Sequence, residues 1–484
     1  MKLSFLSSAS LYIVGSFFGS LVAGVQIRYC GRKFTMQTAN IVILCGFLAS
    51  RFGYNVSLLY IGRVLIGYSN GLWQQCAPVY TGEINQAKIR KITGSFFVVS
   101  FTFGFALIYT LGSFCYWRDA LNYIAIWPIL NFILLFACPE SPTWLVNKGR
   151  SQEAKCMIEK IRMNDRVAKL EIARMEKNKK AQELRCQEDK DRSYIANTLN
   201  VIGRGTFIRP FLVLTFILSF SIQWSGAPAM GLYLVDILKG FKVPFDPYST
   251  AAIVTIYRLM IVIIGTVLTY FVPRRPFYLV CNVLVASGTL VLGTSGYLHS
   301  TSDFINLEQE NNFLNWMPMV GVLLFYTGLS AGLVSVGFIL FGELLPSNAR
   351  DIGTTLVSTF INVSFFASTK SVPYLREVLG LHGLFYLYSS VACISIIFGY
   401  LSIPETFGKT LEDIEDHYRK VCYGSQIKIC VTDPDNNSQI VDSTNDFVLN
   451  RTRTKHERSS TKFRSSPNLS NTRRASAHSM ISLT

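Results

Sequence analysis

Long apolar runs separated by short polar connections dominate this chain. They fall at about residues 9–27, 36–54, 57–80, 93–114, 120–138, 208–238, 248–272, 276–298, 314–342, 352–373 and 382–403. Each is close to the ~20 residues that an α-helix needs to cross a bilayer core. The pattern therefore predicts an all-α membrane protein with about eleven transmembrane helices. Two polar segments punctuate it. In the first, Ala154, Met157, Ile158 and Ile161 recur at helical spacing, which predicts short amphipathic helices lying under the bundle. A solvated, charged linker is the other reading of that stretch. The second follows Tyr423, is rich in Ser, Thr, Asn and Arg, and reads as disordered. The expected division is a helical half at 1–138, a cytoplasmic loop at 139–207, a second helical half at 208–403 and a cytoplasmic tail at 404–484.

Charge orients these runs. Arg28, Arg32 and Lys33, then Lys88, Arg90 and Lys91, the 139–207 segment, Arg274 and Arg275, Arg350 and the tail all fall on one side. The loop from His299 to Asn312 carries Asp303, Glu308 and Glu310 and no Lys or Arg. The bias of cations toward the cytoplasm places the N-terminus outside and the C-terminus inside, as a multi-pass protein of the plasma membrane. The apolar stretch from Ser8 to Ile27 is long for a secretory leader and is followed at once by cations, so it reads as a span.

Composition agrees. Half of the 484 residues are apolar and 16% are charged, which excludes an ordinary soluble domain. The net charge of +16 collects in Met157–Arg204 and after His417, as expected of cytoplasmic loops on a lipid-embedded body; no nucleic-acid motif accompanies it. Cys45, Cys76, Cys281 and Cys393 lie inside apolar runs without metal-ligand spacing and read as small core residues. There is no phosphate-binding G-x-x-x-x-G-K-[ST] run. No enzyme activity, metal or cofactor is expected.

A proline–glutamate step closes each expected half, in Pro139-Glu140-Ser141-Pro142-Thr143-Trp144-Leu145 and in Pro404-Glu405-Thr406-Phe407-Gly408-Lys409. Such duplication is a mark of secondary transporters. Gly62-Arg63-Val64-Leu65-Ile66-Gly67, Gly71 and Pro78-Val79-Tyr80-Thr81-Gly82-Glu83 through Arg90 add a third pattern, and Phe341-Gly342-Glu343 through Arg350 a fourth. With these four in order, the chain from about Ser10 to His417 resembles the sugar porter branch of the major facilitator superfamily. The resemblance implies a two-half helical bundle and a cytoplasmic charge gate. In this chain the gate would comprise Arg32, Lys33, Glu83, Arg90 and Glu140 in one half, with Arg63 toward the outside, and Arg274, Arg275, Glu343, Arg350 and Glu405 in the other. The pairs expected to matter most are Glu83 with Arg90 and Glu343 with Arg350. A purely topological role for the cations is the alternative, weighed evenly for Arg274 and Arg275.

The chain also departs from that pattern. Its first match is to the family's second helix, at Val14-Gly15-Ser16-Phe17-Phe18-Gly19, which implies that the family's first helix is lacking. Ile222, Pro228, Val98 and Phe338 stand where the family carries a glutamine, an asparagine, a second glutamine and often a tryptophan. The residues left to contact a sugar are Gln223, Trp224, Ser225, Tyr233 and Asn362, although Trp224 and Tyr233 serve equally well as packing aromatics. Each buried hydroxyl partner lost costs about 1–3 kcal/mol, which weakens a hexose site.

The expected function is passage of a small solute, a sugar first, through the lipid bilayer by alternating access, with uniport favoured because no intramembrane carboxylate stands out. A non-transporting membrane sensor or regulator is one alternative. A carrier of a non-sugar organic solute is another; an organic ion would call for intramembrane charges facing a cavity, and none stands out. Arg473-Arg474-Ala475-Ser476 resembles a basophilic kinase site, with Ser476 as acceptor.

Overall fold

The computed structural model describes residues 2–85, 87–162, 172, 205–241, 243, 245–305, 312–345, 350–406 and 418. The expected disorder after Tyr423, the kinase acceptor Ser476 and most of the segment from 163 to 204 lie outside the described residues.

The first five spans are α1 (Lys2–Cys30), α2 (Arg32–Phe52), α3 (Val56–Ile84), α4 (Ala87–Phe114) and α5 (Trp117–Ala137). Two short helices follow, α6 (Pro142–Asn147) and α7 (Ser151–Arg162). On α7 Ala154 and Ile158 are buried, and Met157 packs against Leu145 and Val146 of α6; the side chain of Ile161 lies outside the described residues.

The single span expected at 208–238 is instead a series of short pieces. α8 (Gly205–Thr215) runs through a π-helical stretch, Phe216–Ser221, into α9 (Ile222–Trp224), α10 (Ala227–Leu232) and α11 (Leu234–Gly240). The break between α9 and α10 sits at Gly226, whose φ of 100° is open to glycine and unfavourable for most other residues, and Pro228 begins the new helix. Next come α12 (Pro247–Phe271), α13 (Arg274–Ile305) and α14 (Asn312–Gly328), then a second π-helical stretch at Leu329–Leu333 and α15 (Val334–Glu343). The last helical element, α16 (Arg350–Ser402), is broken at Gly380 (φ 72°, ψ 177°) into two spans.

Eight stretches of the described residues are long and apolar enough to cross a membrane, and the last of them contains the Gly380 break. Helices α2 and α3 are long enough but more polar. The eleven expected spans all fall on helical stretches, with 208–238 broken into pieces and 314–342 interrupted by a π-helical stretch. Large apolar side chains, among them Phe18, Val25, Ile133, Phe136, Ile253 and Ile397, stand exposed along the outer faces, as a surface in contact with lipid requires. Lipid outside and packed side chains inside are both apolar. That is why the four intramembrane cysteines divide: Cys76 and Cys281 are buried, whereas Cys45 and Cys393 are exposed, correcting the expectation that all four are core residues.

In the first half α3 is the hub, packing on α1 and α2, while α5 leans on α2. The α1–α3 crossing is made close by glycines four apart on both helices. A Cβ on Gly15 or Gly19 would strike the carbonyl oxygens of Val64 or Tyr68, and one on Gly67 or Gly71 those of Tyr12 or Ser16. This is small-residue packing, in which dispersion between backbones replaces the hydrophobic drive that lipid abolishes. In the second half α13 packs on α14 and α16. The halves meet where α1 lies on α16 and where α4 lies on α12 and α15.

Candidate functional site

At one end of each half an arginine–carboxylate cluster is built on the same plan. In the first, Arg32 Nη2 meets Glu83 Oε1 at 2.9 Å, joining α2 to α3. The second carboxylate, Glu140, receives the backbone N–H of Arg32 at 2.9 Å and that of Lys33 at 3.1 Å. Glu140 therefore caps the N-terminus of α2, where unpaired amides and the helix dipole favour an anion. Ser141 donates its hydroxyl to Glu83, and Lys33 Nζ reaches the carbonyl of Phe136 at 3.0 Å.

The second half repeats the plan, with a hydroxyl that contacts the arginine instead of the carboxylate. Arg274 Nη1 meets Glu343 Oε2 at 2.5 Å, joining α13 to α15. Glu405 accepts the backbone N–H of Arg274 at 3.1 Å and of Arg275 at 3.2 Å, capping α13. Thr406 accepts from Arg274 at 2.8 Å, and Arg275 reaches the carbonyl of Tyr400. Arg32 and Arg274 are both buried. Each described pair joins helices of the same half. The side chains of Arg90 and Arg350, expected to pair with Glu83 and Glu343, lie outside the described residues. Arg63 is exposed two turns into α3, with no hydrogen bond or ion pair to a described residue, and is part of neither cluster.

The five residues expected to contact a solute are dispersed. Gln223 donates to the Leu218 carbonyl at 3.4 Å, and its own carbonyl accepts from Ser368 at 2.8 Å. Trp224 donates its indole N–H to Ser364 at 3.0 Å and lines an apolar groove of about 570 Å³ with Leu212, Phe216, Phe220, Phe360 and Phe398. Ser225 is buried and bonded to the Ile222 carbonyl. Tyr233 is buried at the joint of α10 and α11, its hydroxyl without a hydrogen-bond partner among the described residues. Asn362 stands two positions from Ser364, which puts it on another side of α16. It faces α1 instead: Ser16 donates to Asn362 Oδ1 at 2.9 Å, and Asn70 donates to Ser16 at 3.2 Å. Nearby, Gln75 donates to the Ser20 carbonyl at 2.9 Å and accepts from Thr355 at 3.4 Å. These contacts form a polar seam between the halves. The change Asn362→Leu is expected to cost about 0.6–2 kcal/mol. A thermal-unfolding double-mutant cycle with Ser16→Ala should return a coupling of the same sign and size.

The residue that sequence reading passed over is Arg258. It lies midway along α12, 7% exposed, and its Nε donates to Ser330 in the second π-helical stretch at 3.2 Å. Its guanidinium carbon sits 5.3 Å from the ring centroids of both Phe105 on α4 and Tyr326 on α14. It makes no ion pair with a described residue. Cation–π contacts contribute about 0.5–2 kcal/mol each, while a charge at the bilayer centre costs about 2.5–3.5 kcal/mol or more. The signal was available: Arg258 is the lone charge in the apolar run at 248–272. It corrects the expectation that no intramembrane charge stands out.

A family model described as "Sugar (and other) transporter" matches residues 2–418. Among curated proteins, the chain is 28% identical over 397 residues to the "Facilitated trehalose transporter Tret1" of Drosophila willistoni and 28% identical over 397 residues to "Trehalose transporter 1" of Drosophila melanogaster. These alignments take in 82% of this chain but only 44% and 45% of the relatives, so the chain spans less than half of their length. Among solved structures it is similar to the major facilitator superfamily proton:xylose symporter XylE bound to 6-bromo-6-deoxy-D-glucose, with a TM-score of 0.71 at 18% identity over 86% of this chain and 89% of that one. The inward-open conformation of XylE from E. coli matches with a TM-score of 0.63 at 18% identity, again over 86% and 89% of the two chains.

Proposed function

Because the chain belongs to the sugar (and other) transporter family and has the fold of a major facilitator, we propose that it carries a small sugar across the membrane by alternating access. The observation that carries this reading is the repeated cluster: Arg32–Glu83–Glu140 in one half and Arg274–Glu343–Glu405 in the other. Each cluster ties a helix start to two other elements of its own half. Each half can therefore tilt as one body while the seam between them opens and closes, which is the motion that alternating access requires. The two clusters sit among the cations Arg28, Lys33 and Arg275, which by the positive-inside rule supports a cytoplasmic place for their end and an outer place for residue 2; the compartment we propose is the plasma membrane. The relatives' trehalose and the neighbour's xylose suggest the solute class.

Cells expressing the chain at their surface should take up labelled glucose or trehalose above vector controls. Arg274→Ala should abolish that uptake while Arg63→Ala, outside both clusters, leaves most of it. Surface delivery without uptake of glucose, trehalose or an acidic sugar would contradict the reading.

A further inference from the structure

Arg258 is placed where the two halves meet. Phe105 belongs to the first half, Tyr326 and Ser330 to the second, and all three surround one guanidinium. Only Nε is bonded. The two terminal nitrogens donate to no described residue. Tyr109 and Tyr326, the nearby phenols, donate their hydroxyls to the carbonyls of Gly231 at 2.8 Å and Met230 at 2.9 Å. Phe97, Phe101 and Phe105 follow one another along α4 at four-residue spacing, with Phe338 of α15 5.1 Å from Phe97.

A cation held between rings, with its two outermost N–H groups unengaged, matches a ligand that brings its own anion on a compact ring body. Guanidinium recognises carboxylates through a planar, two-pronged contact, and rings stack on the faces of aromatic side chains. The loss of amide partners at Ile222 and Val98 points the same way, because one charge-assisted contact can orient a solute that several neutral ones no longer hold.

We propose that Arg258 anchors a carboxylate on the transported solute, so that the preferred substrate class is a sugar acid of the hexuronate type. This rests on the carrier reading above. The anion enters a site that already holds the compensating charge, and the occupied centre is electrically neutral when the halves exchange sides.

Glucuronate and glucose form a matched pair that differ at one carbon, a carboxylate in place of a hydroxymethyl group. With the purified full-length chain in lipid nanodiscs at constant ionic strength, ligand-dependent thermal shifts should show glucuronate binding about tenfold or more tightly than glucose. Arg258→Gln should fold with an unliganded Tm equal to or above that of the wild type, since an uncompensated charge is removed, and should bind the two sugars alike. Arg258→Lys should keep part of the preference. Equal binding of the two sugars by the wild type, binding of neither, or a preference that survives in Arg258→Gln would overturn the anchor. Uptake of the same sugars separates this from the carrier reading. Glucose or trehalose flux without a glucuronate preference overturns the anchor and leaves the carrier standing. Glucuronate binding with no flux of any of the three supports the anchor and overturns the carrier.

Discussion

Glu343→Ala is expected to destabilise the folded protein by about 3–5 kcal/mol, because it strands a buried arginine. Arg274 has 3% of its side chain exposed, and its Nε has no hydrogen-bond partner among the described residues. Once Glu343 is gone, only Thr406 remains on Nη1, a neutral hydroxyl that cannot offset a full charge. Exposed ion pairs contribute about 0–1 kcal/mol, so the burial of this arginine decides the size of the effect. Removing both partners should do far less harm than removing one: Arg274→Met with Glu343→Met should recover most of the loss, since well-packed apolar residues replace a buried pair at little net cost. Denaturation in detergent, followed by loss of the monodisperse peak, measures both. A loss of under ~1 kcal/mol for Glu343→Ala would show that water or lipid headgroups reach the arginine and that the cluster is not a structural brace.

Gly67→Leu should be more damaging still. Its Cβ alone would overlap the Tyr12 carbonyl, and backbone cannot step aside as a side chain can. To admit a leucine, α1 and α3 must separate. That breaks the packing of Gly15 and Gly19 against Val64 and Tyr68, and shifts Ser16 and Ser20 away from Asn362 and Gln75. The cost should exceed the ~1–3 kcal/mol usual for core overpacking and appear as loss of folded, surface-delivered protein. Gly82→Leu is the control, because a Cβ there meets nothing within 4 Å. Equal expression of the two variants would contradict the described crossing.

How much of this was legible in the sequence depended on whether the cause was local. Span number followed from run length alone, because an apolar stretch of some twenty residues has few other places to go. The exception was 208–238, where Gly226 and Pro228 interrupt a run that hydropathy treats as continuous. Capping residues could be found by motif: both Pro–Glu steps stood out, though not that Glu140 and Glu405 accept from backbone amides at helix starts. Pairing partners could not be read. Glu83 and Arg90 are seven apart on paper, whereas Arg32 is brought to Glu83 from another helix by the α2–α3 packing. The surroundings of Asn362 were hidden for a similar reason. Its polarity was plain, but two residues of helical rotation decide whether it faces Ser16 or Trp224. Arg258 was visible as a single charge, and only the rings of α4 and α14 around it give that charge a meaning.

The central claim is that two braced halves move around a site between them. Counterflow in proteoliposomes tests it most directly. Vesicles loaded with unlabelled sugar and diluted into labelled sugar should accumulate label transiently above equilibrium, because a carrier that exchanges sides returns loaded faster than empty. The sugars to use are glucose, trehalose and glucuronate. Overshoot with at least one of them, absent in Glu343→Ala and in empty liposomes, is the predicted result. Label that enters all vesicles at the rate of protein-free liposomes, from a preparation shown to be folded, would contradict the account.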